Sequence, residues 1–255
     1  MNRTIRRLSF TALVLAAAGQ ARAAAQEGFS VSVLVDGVAR CEYAARGNSY
    51  VEAARGAPYA VRLSNPYPYR VAAALSIDGL NSIDARHTEP FEAQKWLIEP
   101  YGSVTISGWQ VSGASARAFF FTDEKQSYGA FRGDTRNLGV IEAVFFREVS
   151  RVSRRAAESP AADGIAGGMA APAPLLESKS AAPSEDYAAT GMGERQDHPV
   201  IDVALDLEPA PVARVRLRYE FRPQLVALGV LPRAAEPLDR RERARGFSSY
   251  CPESR

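Results

Sequence analysis

Residues 29–43 read FSVSVLVDGVARCEY. Residues 29–33 alternate apolar and small polar positions, continue as Leu34-Val35 into Asp36-Gly37, and resume as an extended pattern over 38–43. A two-residue hairpin turn of the twist-matched kind needs positive φ at both central positions, and Asp-Gly adopts that pair at little cost. The stretch therefore predicts two antiparallel strands.

Working outward, the same grammar recurs. Strand-like segments follow at 59–63, 70–77, 96–99, 104–107, 117–122 and 140–147, separated by Asn65-Pro66, Asp78-Gly79, Pro100-Tyr101-Gly102 and Gly133-Asp134. Tyr59, Val61 and Leu63 share a face, as do Val71, Ala73, Leu75 and Ile77. Helical periodicity is nearly absent. The expected fold is mainly β, an antiparallel β-sandwich over 27–150. Its inward set is Val61, Leu63, Val71, Ala73, Leu75, Val104, Ile106, Val140 and Val144. Phe119-Phe120-Phe121 is a run, so either Phe120 points inward or its two neighbours do.

Residues 1–23 read as a secretory signal. Arg3, Arg6 and Arg7 precede a 12-residue apolar core, Leu8 to Gly19, and then the small-x-small site Ala21-Arg22-Ala23. The core is shorter than the ~20 residues a spanning helix needs, and no later stretch approaches that length. The expectation is export to the periplasm or beyond, with no stable membrane insertion of the mature chain. The chain holds 31 basic and 29 acidic side chains; removing four signal arginines leaves 27 against 29, a mature net charge of −2. Overall charge thus makes no case for a nucleic-acid partner. Two cysteines, Cys41 and Cys251, permit one bridge in an oxidising compartment.

Between 156 and 193, Ala, Gly, Pro and Ser supply 25 of 38 positions. That composition predicts a long disordered insert, bounded here as 151–198. Order returns at 199–232. Ile201, Val203, Leu205 and Leu207 alternate with Asp202, Asp206 and Glu208; after Pro209-Ala210-Pro211, Val215, Leu217 and Tyr219 alternate with Arg214, Arg216 and Arg218. The pattern predicts a C-terminal β-hairpin docked on the sandwich, with Asp206 across from Arg214 and Asp202 across from Arg218. Residues 233–255 read as a flexible tail.

Sequence motifs for catalysis are missing. No Gly-x-Ser-x-Gly, phosphate loop, His-Glu-x-x-His or Cys-x-x-Cys occurs, and His87 and His198 match no metal spacing. No catalytic residue, cofactor or metal is expected. Tyr67, Tyr69, Trp96, Tyr101 and Trp109 fall at or near turns. Such rings either stack on sugars or cap the ends of the core.

The segments at 59–65 (YAVRLSN), 75–81 (LSIDGLN), 108–109 (GW) and 136–141 (RNLGVI) resemble a family of uncharacterised bacterial exported proteins, over about residues 55–150 and extending to 191–228. The resemblance implies export and a β-sandwich-like region, and carries no activity or ligand. Gly79, Gly108 and Gly139 read as positions needing φ freedom, and Asn65 and Asn81 as turn-bonding residues. The expected function is a non-enzymatic structural or binding role in the bacterial cell envelope, with an envelope protein or glycan as partner. The alternatives are a carbohydrate-binding module using the loop aromatics and an envelope hydrolase.

Overall fold

The computed structural model describes residues 24–149 and 186–233. The signal segment, most of the Ala-rich insert, and the tail with Cys251 lie outside the described residues.

Among the described residues, fifteen strands form two facing sheets. The first contains β1 (Ala24–Gln26), β2 (Phe29–Val35), β3 (Val38–Ala39), β6 (Pro58–Ser64), β10 (Ser103–Ile106), β11 (Gly108–Ser112), β12 (Ser115–Asp123) and β14 (Ala188–Asp197). The second contains β4 (Glu42–Ala45), β5 (Asn48–Ala53), β7 (Val71–Ile77), β8 (Leu80–Asn81), β9 (Trp96–Ile98), β13 (Val140–Arg147) and β15 (Ala213–Phe221). A 3-10 turn (Glu124–Gln126) and two short helices, α1 (Tyr128–Arg132) and α2 (Arg222–Ala227), complete the described elements. The mainly β sandwich architecture is as expected.

Local chemistry makes the turns. Asp36 and Gly37 both take positive φ, 52° and 75°, and join β2 to β3. Asp78-Gly79 does the same for β7 and β8, with φ of 53° and 80°. Asn65 and Asn81 bond the turns as expected: the Asn65 side chain donates to the Tyr69 and Glu99 carbonyls, and that of Asn81 to the Gln94 carbonyl. Gly79 and Gly139 have positive φ, but Gly108 is required for space instead: a Cβ there would lie 2.2 Å from the Arg117 carbonyl oxygen.

Val31, Val33, Val61, Leu63, Phe119 and Phe121 from the first sheet meet Val71, Leu75, Ile77, Ile141, Phe145 and Leu217 from the second. Burial of each such aliphatic or aromatic side chain stabilises by roughly 1.5–3 kcal/mol. Phe119 and Phe121 are the inward pair of the aromatic run. Val104 is only partly buried, and Val140 and Val144 are corrected to the outer face of β13. Residues 140–147 are apolar in both frames, and Glu142 decides: it must face outward, which turns Ile141, Ala143 and Phe145 inward.

The C-terminal hairpin is also corrected. Residues 199–206 form no strand; the following residues run beside the end of β13, where Glu208 N–H donates to the Arg147 carbonyl. β15 lies inside the second sheet, antiparallel to β13 (Arg216 opposite Glu142) and parallel to β5 (Tyr219 opposite Val51). A local hairpin would have left one edge of β15 unpaired, whereas this position satisfies both. The insert likewise ends earlier than its composition suggests: residues 188–197 form β14, paired along β12 from Ser115 to Asp123. Gly191 and Gly193 read as linker residues, but Gly191 lies opposite Phe120, where a Cβ would meet the ring at 2.3 Å.

Candidate functional site

The most perturbed acid lies inside the sandwich. Asp78, 1% exposed, follows β7. Its Oδ1 accepts from Gly139 N–H (2.9 Å) and the Tyr219 hydroxyl (2.6 Å), and its Oδ2 from Thr190 N–H (2.7 Å). Each hydroxyl has one proton. Tyr219 donating to Asp78 therefore leaves Thr190 to donate to Tyr219 and Tyr59 to donate to Thr190, each across 2.6 Å. Burial pushes the Asp78 carboxyl up to about 7 against the pull of these donors, and burial also holds both tyrosines well above their ordinary range. A shifted acid can mark an active site. This one lines none of the principal cavities, so the cluster works as a polar bolt between sheets.

A concave surface rich in charged side chains lies elsewhere, on the outer face of the second sheet. A groove of about 380 Å³ has Ala74 and Ser76 of β7 and Val140, Glu142 and Val144 of β13 in its floor. Arg214, Arg216 and Arg218 of β15 form one side; Arg86, His87 and Glu89 with Arg136 and Asn137 form the other. Strand alternation sets the row of arginines about 6.7 Å apart while Val215, Leu217 and Tyr219 fill the core. Glu142 Oε1 is shared by Arg214 Nη1 (3.3 Å) and Arg216 Nη2 (3.0 Å), and Arg218 reaches Asn48 Oδ1 at 3.4 Å. Asp134 pairs with Arg136, whose guanidinium holds that carboxyl below its ordinary value.

Five arginines line the groove against two glutamates. A guanidinium carries five donors in a planar fork. Glu142 occupies one oxygen's share of two forks, and both arginines stay about half exposed. The remaining donors suit a carboxylate or phosphate.

None of the five loop aromatics lines this groove, and they do not form one shared surface. Trp96 (8% exposed) and Trp109 (2%) are core side chains, their indole N–H groups donating to Ser82 Oγ and the Gly191 carbonyl. Tyr67 and Tyr69 are half-buried and stacked on each other at 5.2 Å. Tyr101 is the one largely exposed ring of the five, at 71%, and its backbone N–H donates to the Tyr67 carbonyl at 3.0 Å. Cys41 is exposed, and its proposed partner lies outside the described residues. His87 is held by Nδ1 against the Gly79 carbonyl; His198, in the loop after β14, is half-buried against Trp96 and Gln110. Among the described residues no group of three His, Cys, Asp or Glu side chains could hold a metal. No described helix is long and apolar enough to cross a membrane.

The groove's arginines were visible in the sequence as an Arg-x-Arg-x-Arg alternation, but assigned to the wrong acidic partners. Arg86 and Arg136 carried no such signal, since only folding brings them opposite β15. No protein-family model, curated protein or solved structure matches this chain.

Proposed function

We propose that this is an exported, non-enzymatic β-sandwich protein of the bacterial cell envelope that binds an anionic envelope glycan in the arginine groove. The observation that carries the reading is the row Arg214, Arg216 and Arg218, which faces a concave surface and, among the described residues, has Glu142 as its direct carboxylate partner. Export is supported by the signal-like residues 1–23. The groove is compatible with the slightly acidic mature charge because the positive potential is local, and local potential governs encounter with a charged ligand. Binding rather than catalysis is the reading favoured, because the groove's His87 is bonded to the Gly79 carbonyl and not to Ser76 or Thr88, and Asp78, whose carboxyl burial raises, is sealed in the sandwich core. The neutral-glycan alternative is weakened by burial of Trp96 and Trp109, the two largest of its stacking rings.

The test is titration of the mature protein with polygalacturonate, inorganic polyphosphate and neutral dextran. Binding to at least one polyanion and not to dextran is expected. The double substitution Arg216→Glu with Arg218→Glu should weaken it at least ~10-fold, with affinity falling steeply as salt rises. Equal binding to dextran, no polyanion binding, or an unaffected double variant overturns the reading.

A further inference from the structure

β1 is built into the fold from its first residue. Ala24 is 6% exposed, belongs to the main core and pairs with Val31 of β2. Two residues later, Gln26 Oε1 accepts a hydrogen bond from Arg214 N–H of the opposite sheet at 3.0 Å. β1 and β4 line one cavity together, Ala24 with Ala44 and Ala45, and Glu42 of β4 lies within reach of the Ala24 backbone N–H. One of its carboxylate oxygens is buried without a hydrogen-bond partner, and Glu42 forms no ion pair with a described residue. Burial lifts its carboxyl to about 7, and the Ala24 backbone N–H is the one group drawing it back. An uncompensated acid in such a place is costly.

We propose that hydrolysis of the Ala23–Ala24 peptide bond supplies the missing partner, the new α-ammonium of Ala24 forming an ion pair with the Glu42 carboxylate. Water adds hydroxyl to the Ala23 carbonyl carbon and a proton to the Ala24 nitrogen, with an endopeptidase of the export pathway as catalyst. The amine then takes a second proton from solvent, as an α-amino group of ordinary pKa ~8 does at neutral pH. The inference rests on reading residues 1–23 as a cleaved signal. The Ala-rich junction also contains Ala23-Ala24-Ala25, a second small-x-small frame. Cleavage after Ala25 would remove a buried residue and its pairing with Val31, so the fold favours the first frame.

Chains beginning at Ala24, and chains keeping Ala23 as one extra residue, are made with defined termini, each with and without Glu42→Gln. In the chain beginning at Ala24, Glu42→Gln should lower Tm by roughly 5 °C or more. The extra residue should cost a similar amount, and in the extended chain Glu42→Gln should cost nothing further. An equal cost of Glu42→Gln on both termini overturns the pair. Acylation of the Ala24 amine at pH 7 should be roughly 10-fold slower than in Glu42→Gln, because the paired amine is protonated and shielded. If Glu42→Gln does not fold, the extended chain is the reference; equal rates overturn the pair. The terminus of the protein recovered from an envelope extract decides the processing step separately. Ala24 supports it, and any other first residue overturns it whatever the defined chains show.

Discussion

Asp78 shows how one residue serves both local and global ends. Its positive φ makes the β7–β8 turn, and its carboxylate ties that turn to β14 and β15. Because burial raises its pKa from 3.8 to about 7, the folded chain binds a proton more tightly there than the unfolded chain. The stability from that proton is full below pH ~4 and is lost as pH rises through about 7. The urea midpoint of the wild type, measured relative to Asp78→Asn, should therefore decline between pH 4 and 8. A constant or rising difference would show that the donors, not burial, dominate. Tyr219→Phe removes the hydroxyl that links Asp78 to Thr190 and should cost ~1–3 kcal/mol in chemical denaturation.

At the scale of elements, β15 separates two kinds of residue on one strand. Leu217 is fully buried between β13 and β5, whereas Arg216 is half exposed beside Glu142. Leu217→Asp should abolish cooperative unfolding, since an unpaired charge there costs several kcal/mol. Arg216→Ala should shift stability by no more than ~1 kcal/mol while weakening polyanion binding. Gly108→Ala tests the β11–β12 pairing: its Cβ has no room beside the Arg117 carbonyl, so a loss of ~2 kcal/mol or more is expected in thermal unfolding. The strands themselves were legible where their period was clean. Residues 59–63 and 71–77 read correctly because one face carries the large apolar side chains and the other only small or charged ones, and 29–35 because Phe29, Val31 and Val33 alternate with serines before Leu34. Residues 140–147 did not, because Val140, Ile141, Val144 and Phe145 offer an apolar residue to both faces and one glutamate settles the frame.

For the whole molecule, the decisive fact is that the chain after the Ala-rich insert completes both sheets. β14 covers the edge of β12 and β15 occupies the middle of the second sheet. A chain given a specific protease site between residues 160 and 180 and then cut should stay a single species on size exclusion, the fragments held by β12–β14, β13–β15 and β5–β15 pairing. Separation of the fragments without denaturant would contradict that arrangement. Taken alone, the sequence determined the β class, the hairpin turn at Asp36-Gly37, the chain break at Asp78-Gly79, and the inward faces of the early strands, all consequences of period-two alternation and local φ preference. Tertiary structure alone decided that β15 pairs with β13 and β5, that residues 188–197 form a strand, and that Arg86 and Arg136 stand across a groove from β15. Strand pairing between distant segments depends on which edges are free after everything else has packed. No window of sequence contains that information.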